Sequence, residues 1–315
     1  MFENLFESLL KGMGSDLFAK TANIITAISP LFASGFGVYI LIVALNAYNR
    51  GFDDNVMDLA KRALGWLIII ACAFNASQYL KIANALYDLP EYMSGLINSG
   101  NYTASALDNN MDKLMENMGK MWELKKKIPT LDLPAHLGFM FVWVFIFILV
   151  ALFLTAIAAF YLVAKISLAM VILIGPIFIG AMLFPSTRQW GMNWIGQIMN
   201  YAVTVTFYVL LGTIQLAFFE AHMISMIDSN MFSLGAVSLV VFIPIVFMYT
   251  LATIIFFVVA MSIPSIAAAL TGGATIGGYS GITRTISSVS NYLSKRGTSP
   301  QLPKSPNNTI KFNKP

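Results

Sequence analysis

Of the 315 residues, 57% are hydrophobic and only 11% charged, with a mean hydropathy of +0.73 and a formal net charge of +4. An ordinary soluble domain carries roughly 25% charged residues, so this balance excludes a soluble enzyme and points to a polytopic membrane protein. The alternating ten-residue segments of a transmembrane barrel are missing, which leaves helical spans, and the single Cys72 excludes an intramolecular disulfide.

Residues 1–22 do not read as a signal peptide, because Glu3 and Glu7 stand where a basic region belongs. Phe2, Leu5, Phe6, Leu9, Leu10 and Met13, continued by Leu17 and Phe18, recur at three- and four-residue spacing and form one apolar stripe on an amphipathic helix. That stripe suits either the lipid surface or docking on a partner. Residues 23–80 hold two spans, at about 24–48 and 63–79. Between them lies a polar loop with Arg50, Asp53, Asp54, Asp58, Lys61 and Arg62.

Residues 81–137 form the one sizeable polar segment. A helix is expected from about 104 to 127, where Leu107, Met111, Leu114, Met115, Met118 and Trp122 repeat with helical period. Its methionine-rich face suits packing on a neighbour. Three lysines, Lys125 to Lys127, and Pro129 end it.

Residues 138–263 form the main transmembrane bundle. Residues 139–164 carry no charge, Lys165 interrupts, and 19 uncharged residues follow as 166–184, with Gly175 and Pro176 near their middle. About 20 apolar residues cross a bilayer, so this run is too long for one span. It lacks the polar turn that two would need. One full span followed by a broken, re-entrant segment at 166–184 is the remaining reading. Backbone that leaves the helix at membrane depth survives only where protein buries it or water lines it. Lys165 is expected to snorkel to the inner interface. Two further spans follow, at about 195–219 and 234–263. Residues 264–315 carry six Lys/Arg and no acid, in a Ser-, Asn- and Pro-rich tail expected to lack fixed structure.

The fold class is therefore an all-α membrane protein of about five transmembrane helices plus a broken segment, preceded by an amphipathic helix. Basic residues near span ends mark the cytoplasmic side. The loop after span one and the tail are basic, and the loop with Glu220 and Asp228 has no Lys or Arg. Five full spans place the amino terminus outside, 81–137 outside and the tail inside; six would put the basic tail outside.

No metal-binding, nucleotide-binding or nucleophile motif occurs. His136 and His222 lie 86 residues apart in polar loops, so no catalytic, metal or cofactor site is expected. Intramembrane carboxylates, the usual relay of a proton-coupled carrier, are scarce. A small-solute secondary transporter with a broken-helix site is the alternative reading, and a membrane enzyme is disfavoured.

The run Lys165-Ile-Ser-Leu-Ala, then Ile174-Gly175-Pro176-Ile177-Phe178-Ile179, then Phe184-Pro185-Ser186-Thr187-Arg188, Trp194 and Asn200-Tyr201 resembles the central signature of the TrbL-like family. That family is the polytopic inner-membrane component of bacterial type IV secretion systems. Leu89-Pro90 and the exit Ile263-Pro264-Ser265-Ile266-Ala267 to Gly272-Gly273 resemble its flanks. The resemblance covers most of 24–275. It implies an inner-membrane channel or platform subunit without enzymatic activity, aiding DNA or protein transfer and pilus assembly. The implied partners are membrane lipids, further copies of itself, pilin and a minor tip pilin, and the secretion ATPases. Lys165, Gly175, Pro176, Arg188 and Trp194 are its signature residues here. Large carboxy-terminal domains of some members have no counterpart in this tail.

The charge distribution makes the topology testable. In a Cys72→Ala background, single cysteines near Asn101 and Ser229 should react with a periplasmic thiol reagent, and those near Asp54 and Ser299 should be protected. Labelling at Ser299 from the periplasm would overturn the five-span arrangement.

Overall fold

The chain is built on an antiparallel pair of 41-residue helices. In a computed structural model, residues 8, 16–50, 56–98, 105–128, 130, 133–228 and 239–272 are described, and every regular element among them is helical. In order these are α1 (Asp16–Arg50), α2 (Val56–Phe74), α3 (Ala76–Asn98), α4 (Ser105–Glu123) with a 3-10 turn (Leu124–Lys127), α5 (Leu133–Leu173), the short α6 (Gly175–Ala181), α7 (Arg188–Asp228) and α8 (Leu239–Thr271). The protein is an all-α membrane protein.

The spine is α5 and α7. At 1.5 Å per residue each is about 60 Å long, roughly twice the hydrocarbon core of a bilayer. Three buried clusters run along them. At one end Phe139, Val142, Ile146 and Val150 of α5 meet Leu216 and Phe219 of α7, Ile245 and Tyr249 of α8, and Leu114, Met118 and Met121 of α4. In the middle Phe153, Ile157 and Tyr161 meet Val205, Tyr208 and Leu211, with Ala260 and Ile263 of α8. At the far end Leu168 and Ile172 meet Trp194 and Ile198, and there Ile25 of α1, Ala73 of α2, Tyr79 and Ala83 of α3, and Ile179 of α6 close the core.

Among the described residues four helical segments, Lys20–Asn46, Leu133–Leu173, Arg188–His222 and Ile243–Thr271, are long and apolar enough to cross a membrane. A fifth span is present if the pair Ala60–Phe74 and Ala76–Leu96, bent by 81°, counts as one. Outward-facing Leu41, Ile68, Phe141, Leu152, Phe247 and Ile254 are large, apolar and exposed, as suits side chains bathed in lipid rather than water.

Element boundaries differ from the sequence expectation in particular places. The second span is interrupted at Asn75. Its side-chain Oδ1 accepts the Gln78 amide at 3.2 Å, which is an N-cap that starts α3. α3 then crosses the expected boundary at residue 80 and buries Tyr79, Ala83 and Ser94 in the bundle. α4 forms as expected, but its buried face is Asn110, Leu114, Asn117, Met118 and Met121, while Met115 stays exposed. Trp122 instead packs edge-on against Trp143, whose indole donates to the Met118 carbonyl at 3.0 Å. α5 continues through Lys165 without a break, so the interruption is confined to 174–187. α8 runs on past Pro264 to Thr271. The amino-terminal stripe Phe2, Leu5, Phe6, Leu9, Leu10 and Met13 lies outside the described residues, as does most of the basic tail.

Replacing the α3 cap tests the interruption at 75. Asn75→Ala should lower the unfolding midpoint of the detergent-purified protein, with about 1 kcal/mol lost. Asn75→Asp, which keeps an acceptor oxygen, should retain most of it; identical midpoints for the three proteins would remove the cap from the account.

Candidate functional site

The interruption between α5 and α7 begins with an arithmetic of backbone donors. Pro176 has no amide hydrogen, so the Ile172 carbonyl four residues earlier loses its helical donor. α5 ends at Leu173, which releases the Val171 carbonyl as well. Freed carbonyls in an apolar setting must find protein or water. Here they find protein. The Tyr79 hydroxyl of α3 donates to the Ile172 carbonyl, and the Trp194 Nε1 of α7 donates to the Val171 carbonyl at 2.8 Å. Both donors are buried, Tyr79 fully and Trp194 nearly so.

Gly175 is what lets these two rings come so close. A Cβ at that position would stand 2.5 Å from the Trp194 ring, 3.0 Å from Tyr79 Cζ, and closer still to the Tyr79 hydroxyl. Pro176 opens α6 at its first turn, where its missing amide costs nothing further and its fixed φ suits a helix. The chain then turns sharply. Amides of Met182, Leu183 and Phe184 reach back three residues to carbonyls 179–181. Thr187 Oγ1 donates to the Ala181 carbonyl at 2.7 Å. α7 starts at Arg188, and Gly191 passes so near α6 that a Cβ there would be 2.8 Å from the Phe178 carbonyl. A groove of about 420 Å³ opens beside the corner, lined by Val171, Ile174, Phe178, Trp190 and Trp194, with the amides of Asn193 and Gln197.

A second cluster lies two turns earlier on α5. Lys165 is 1% exposed and does not snorkel. Its ammonium is bound by both oxygens of Glu91 in α3, at 2.6 and 2.7 Å, and donates to the Tyr87 carbonyl. It also sits 3.8 Å above the Tyr87 ring. Tyr161, one turn before Lys165, donates to Glu91 Oε1 at 3.1 Å. The neighbouring Pro90 lies within α3, and its carbonyl is 3.3 Å from the Thr206 hydroxyl of α7, which also reaches the Ala202 carbonyl at 2.9 Å. The snorkelling expectation fails because a counter-charge is within reach; a buried ammonium with a carboxylate, a carbonyl and an aromatic face has its donors occupied.

The structure thus brings four of the five signature residues into one region. Lys165 holds α3 to α5, while Gly175, Pro176 and Trp194 form the corner. Arg188 stands apart, exposed at the start of α7. Sequence reasoning missed Tyr79, Tyr87 and Glu91, the α3 residues that complete these contacts. Glu91 carried little signal, standing directly after Pro90 in a stretch of mixed polarity that also holds Lys81 and Asp88. Among the described residues no group of His, Cys, Asp and Glu could hold a metal ion.

A profile of the family described as TrbL/VirB6 plasmid conjugal transfer protein matches residues 36–252, a stretch that contains both clusters. Among curated proteins, the type IV secretion system protein VirB6 of Bartonella quintana (strain Toulouse) is 22% identical over 278 residues, covering 86% of this chain and 80% of the relative. The VirB6 protein of Bartonella henselae (strain Houston 1) is 22% identical over 219 residues, covering 68% of this chain and 65% of the relative.

The charge pair predicts an asymmetry between single and double substitution. Lys165→Met alone leaves Glu91 without a counter-charge and should cost roughly 3–5 kcal/mol. Lys165→Met combined with Glu91→Leu removes both charges and should recover most of that loss. Unfolding midpoints in detergent decide it: a double variant as unstable as the single one would mean that the pair is not what holds α3 to α5.

Proposed function

Because the chain belongs to the TrbL/VirB6 family, we propose that this multi-pass membrane component of a type IV secretion system is the inner-membrane platform on which substrate transfer and pilus assembly are organised. It acts through binding and scaffolding rather than through catalysis. The amino terminus and the segment between α3 and α5 face the periplasm and the basic tail faces the cytoplasm, following the charge of the short loops; residues 81–98, expected outside, belong to α3 in the bundle. Copies of the chain assemble around the transfer axis. The pilin and minor tip pilin meet the periplasmic side, the secretion ATPases meet the cytoplasmic side, and DNA or protein substrate passes along the assembly. The amino-terminal stripe Phe2, Leu5, Phe6, Leu9, Leu10 and Met13 is the docking face for another secretion component, and Arg188 meets lipid phosphate or a partner carboxylate at the cytoplasmic interface.

The single observation that carries this reading is the family match over 36–252. The corner at 174–176 supports it against the transporter alternative. A broken helix that coordinates a solute presents released carbonyls and half-helix ends to the substrate. Here the Val171 and Ile172 carbonyls are taken by Trp194 and Tyr79, and the Lys165 charge is neutralised by Glu91. A platform needs such a corner to be rigid.

Deletion of the gene and complementation in its host tests the proposal. Wild-type chain should restore conjugal or effector transfer and surface pili. Trp194→Ala and the double variant Gly175→Leu with Pro176→Leu should reach the membrane yet restore neither, and Leu9→Glu should impair transfer far more than Lys11→Glu. Full transfer and normal pili in the deletion strain itself would overturn the platform role.

A further inference from the structure

Among the described residues, a small cavity in the bundle is explained by neither the corner nor the charge pair. It lies between α5, α7 and α8, and its walls are mostly apolar, including Val150, Phe218, Phe219 and Phe256. Two polar groups interrupt them. Gln215 of α7 is 3% exposed and Tyr249 of α8 is 2% exposed. The Gln215 Oε1 and the Tyr249 hydroxyl are both fully buried, and neither is hydrogen-bonded to a described protein group. Thr253, one turn after Tyr249, also lines the cavity. Its hydroxyl proton is committed to the Tyr249 carbonyl at 2.8 Å, which leaves its oxygen lone pairs to accept.

We propose that this cavity is a binding site for a single ordered water that bridges α7 to α8. Size selects the ligand. The space open to a water-sized body is about 10 Å³, and roughly 10–15 Å³ on that measure is what one water needs. Any organic molecule is too large. Charge selects it too: an amide, a phenol and an alcohol offer no counter-charge, so an ion would be buried unpaired with its desolvation uncompensated. Valence completes the case. A buried water typically makes about three hydrogen bonds. Here it accepts from the Tyr249 hydroxyl and donates to the Gln215 Oε1 and the Thr253 Oγ1. Without it, two buried polar atoms sit unpaired in an apolar core, each at a desolvation penalty. The water therefore acts as polar glue between two spans whose other contacts at this level are aromatic and aliphatic, such as the edge-on packing of Phe219 on Tyr249.

Radiolytic hydroxyl labelling of the full-length protein in detergent, in water enriched in oxygen-18, reads the site directly. Radicals formed from a bound water oxidise the side chains that touch it. Tyr249 and Phe219 should be oxidised although buried, and the equally buried Phe139, which is not among the residues lining this cavity, should not. The label at Tyr249 should fall several-fold in Gln215→Leu, which fills the space, while exposed Trp190 keeps its wild-type label and so reports an intact fold. Tyr249 labelled no more than Phe139 in the wild-type protein would overturn the proposal, whatever the variant does. Thermal midpoints give an independent reading: Gln215→Leu combined with Tyr249→Phe should lower the midpoint no more than the worse single variant. Additive losses would overturn a shared water.

Discussion

Two carbonyl oxygens set the terms for the rest of this molecule. Once Pro176 removes the donor for Ile172, and the helix stops at Leu173, the Val171 and Ile172 carbonyls have to be satisfied inside an apolar bundle. The donors come from different helices. Tyr79 arrives from α3 and Trp194 from α7. For Tyr79 to arrive, α3 must lie against the end of α5, which is why the chain bends by 81° at Asn75 instead of crossing straight. For Trp194 to arrive, α7 must start within two turns of the corner, which the tight 182–187 turn provides. Gly175 then follows as a steric consequence, since both rings occupy the space of its missing side chain.

The Lys165–Glu91 pair belongs to the same arrangement. Both clusters join α3 to α5, one beside Pro90 and one at the α5 terminus, so α3 is fixed at two points along its length. Buried ion pairs are weak evidence of net stability, because desolvation offsets the attraction. Their firmer contribution is register: only one placement of α3 puts Glu91 under Lys165, its Tyr87 carbonyl beside the same ammonium, and Tyr79 under Ile172. A slide of α3 by one turn would strand a carboxylate, an ammonium and a carbonyl together.

Much of this could be read in the sequence, for identifiable reasons. The class follows from composition, and the interruption at Gly175 and Pro176 follows from the donor that proline lacks. The order of apolar motifs pointed to the family. What could not be read was which residues would answer the break. Tyr79 and Glu91 lie in a stretch whose mixed polarity resembles an interfacial loop, and hydropathy registers neither a phenol hydroxyl nor a carboxylate as a partner. Lys165 looked like a snorkelling residue because its counter-charge is 74 positions away in the chain. The bend at Asn75 was not foreseen, because the apolar run before it carries the expected second span on to residue 79. The α4 face was misjudged by a fraction of a turn, because Asn110 and Asn117 are polar by type yet buried by position.

Whether the corner moves bears on what such a protein can do. A hinge works where a few residues absorb large backbone changes without losing their bonds. At 174–176 the opposite holds. Opening the break would strip the Val171 and Ile172 carbonyls of their donors in an apolar setting, and any rotation about Gly175 would drive the chain into Tyr79 or Trp194. α1 is different. Its membrane-length segment buries none of its most apolar window within the chain, so its position is set by only a few contacts, such as Phe32 against Phe74 and Phe184. α1 is therefore held less firmly than α3, α5, α6 and α7, which are packed on one another through buried side chains and the two α3 clusters.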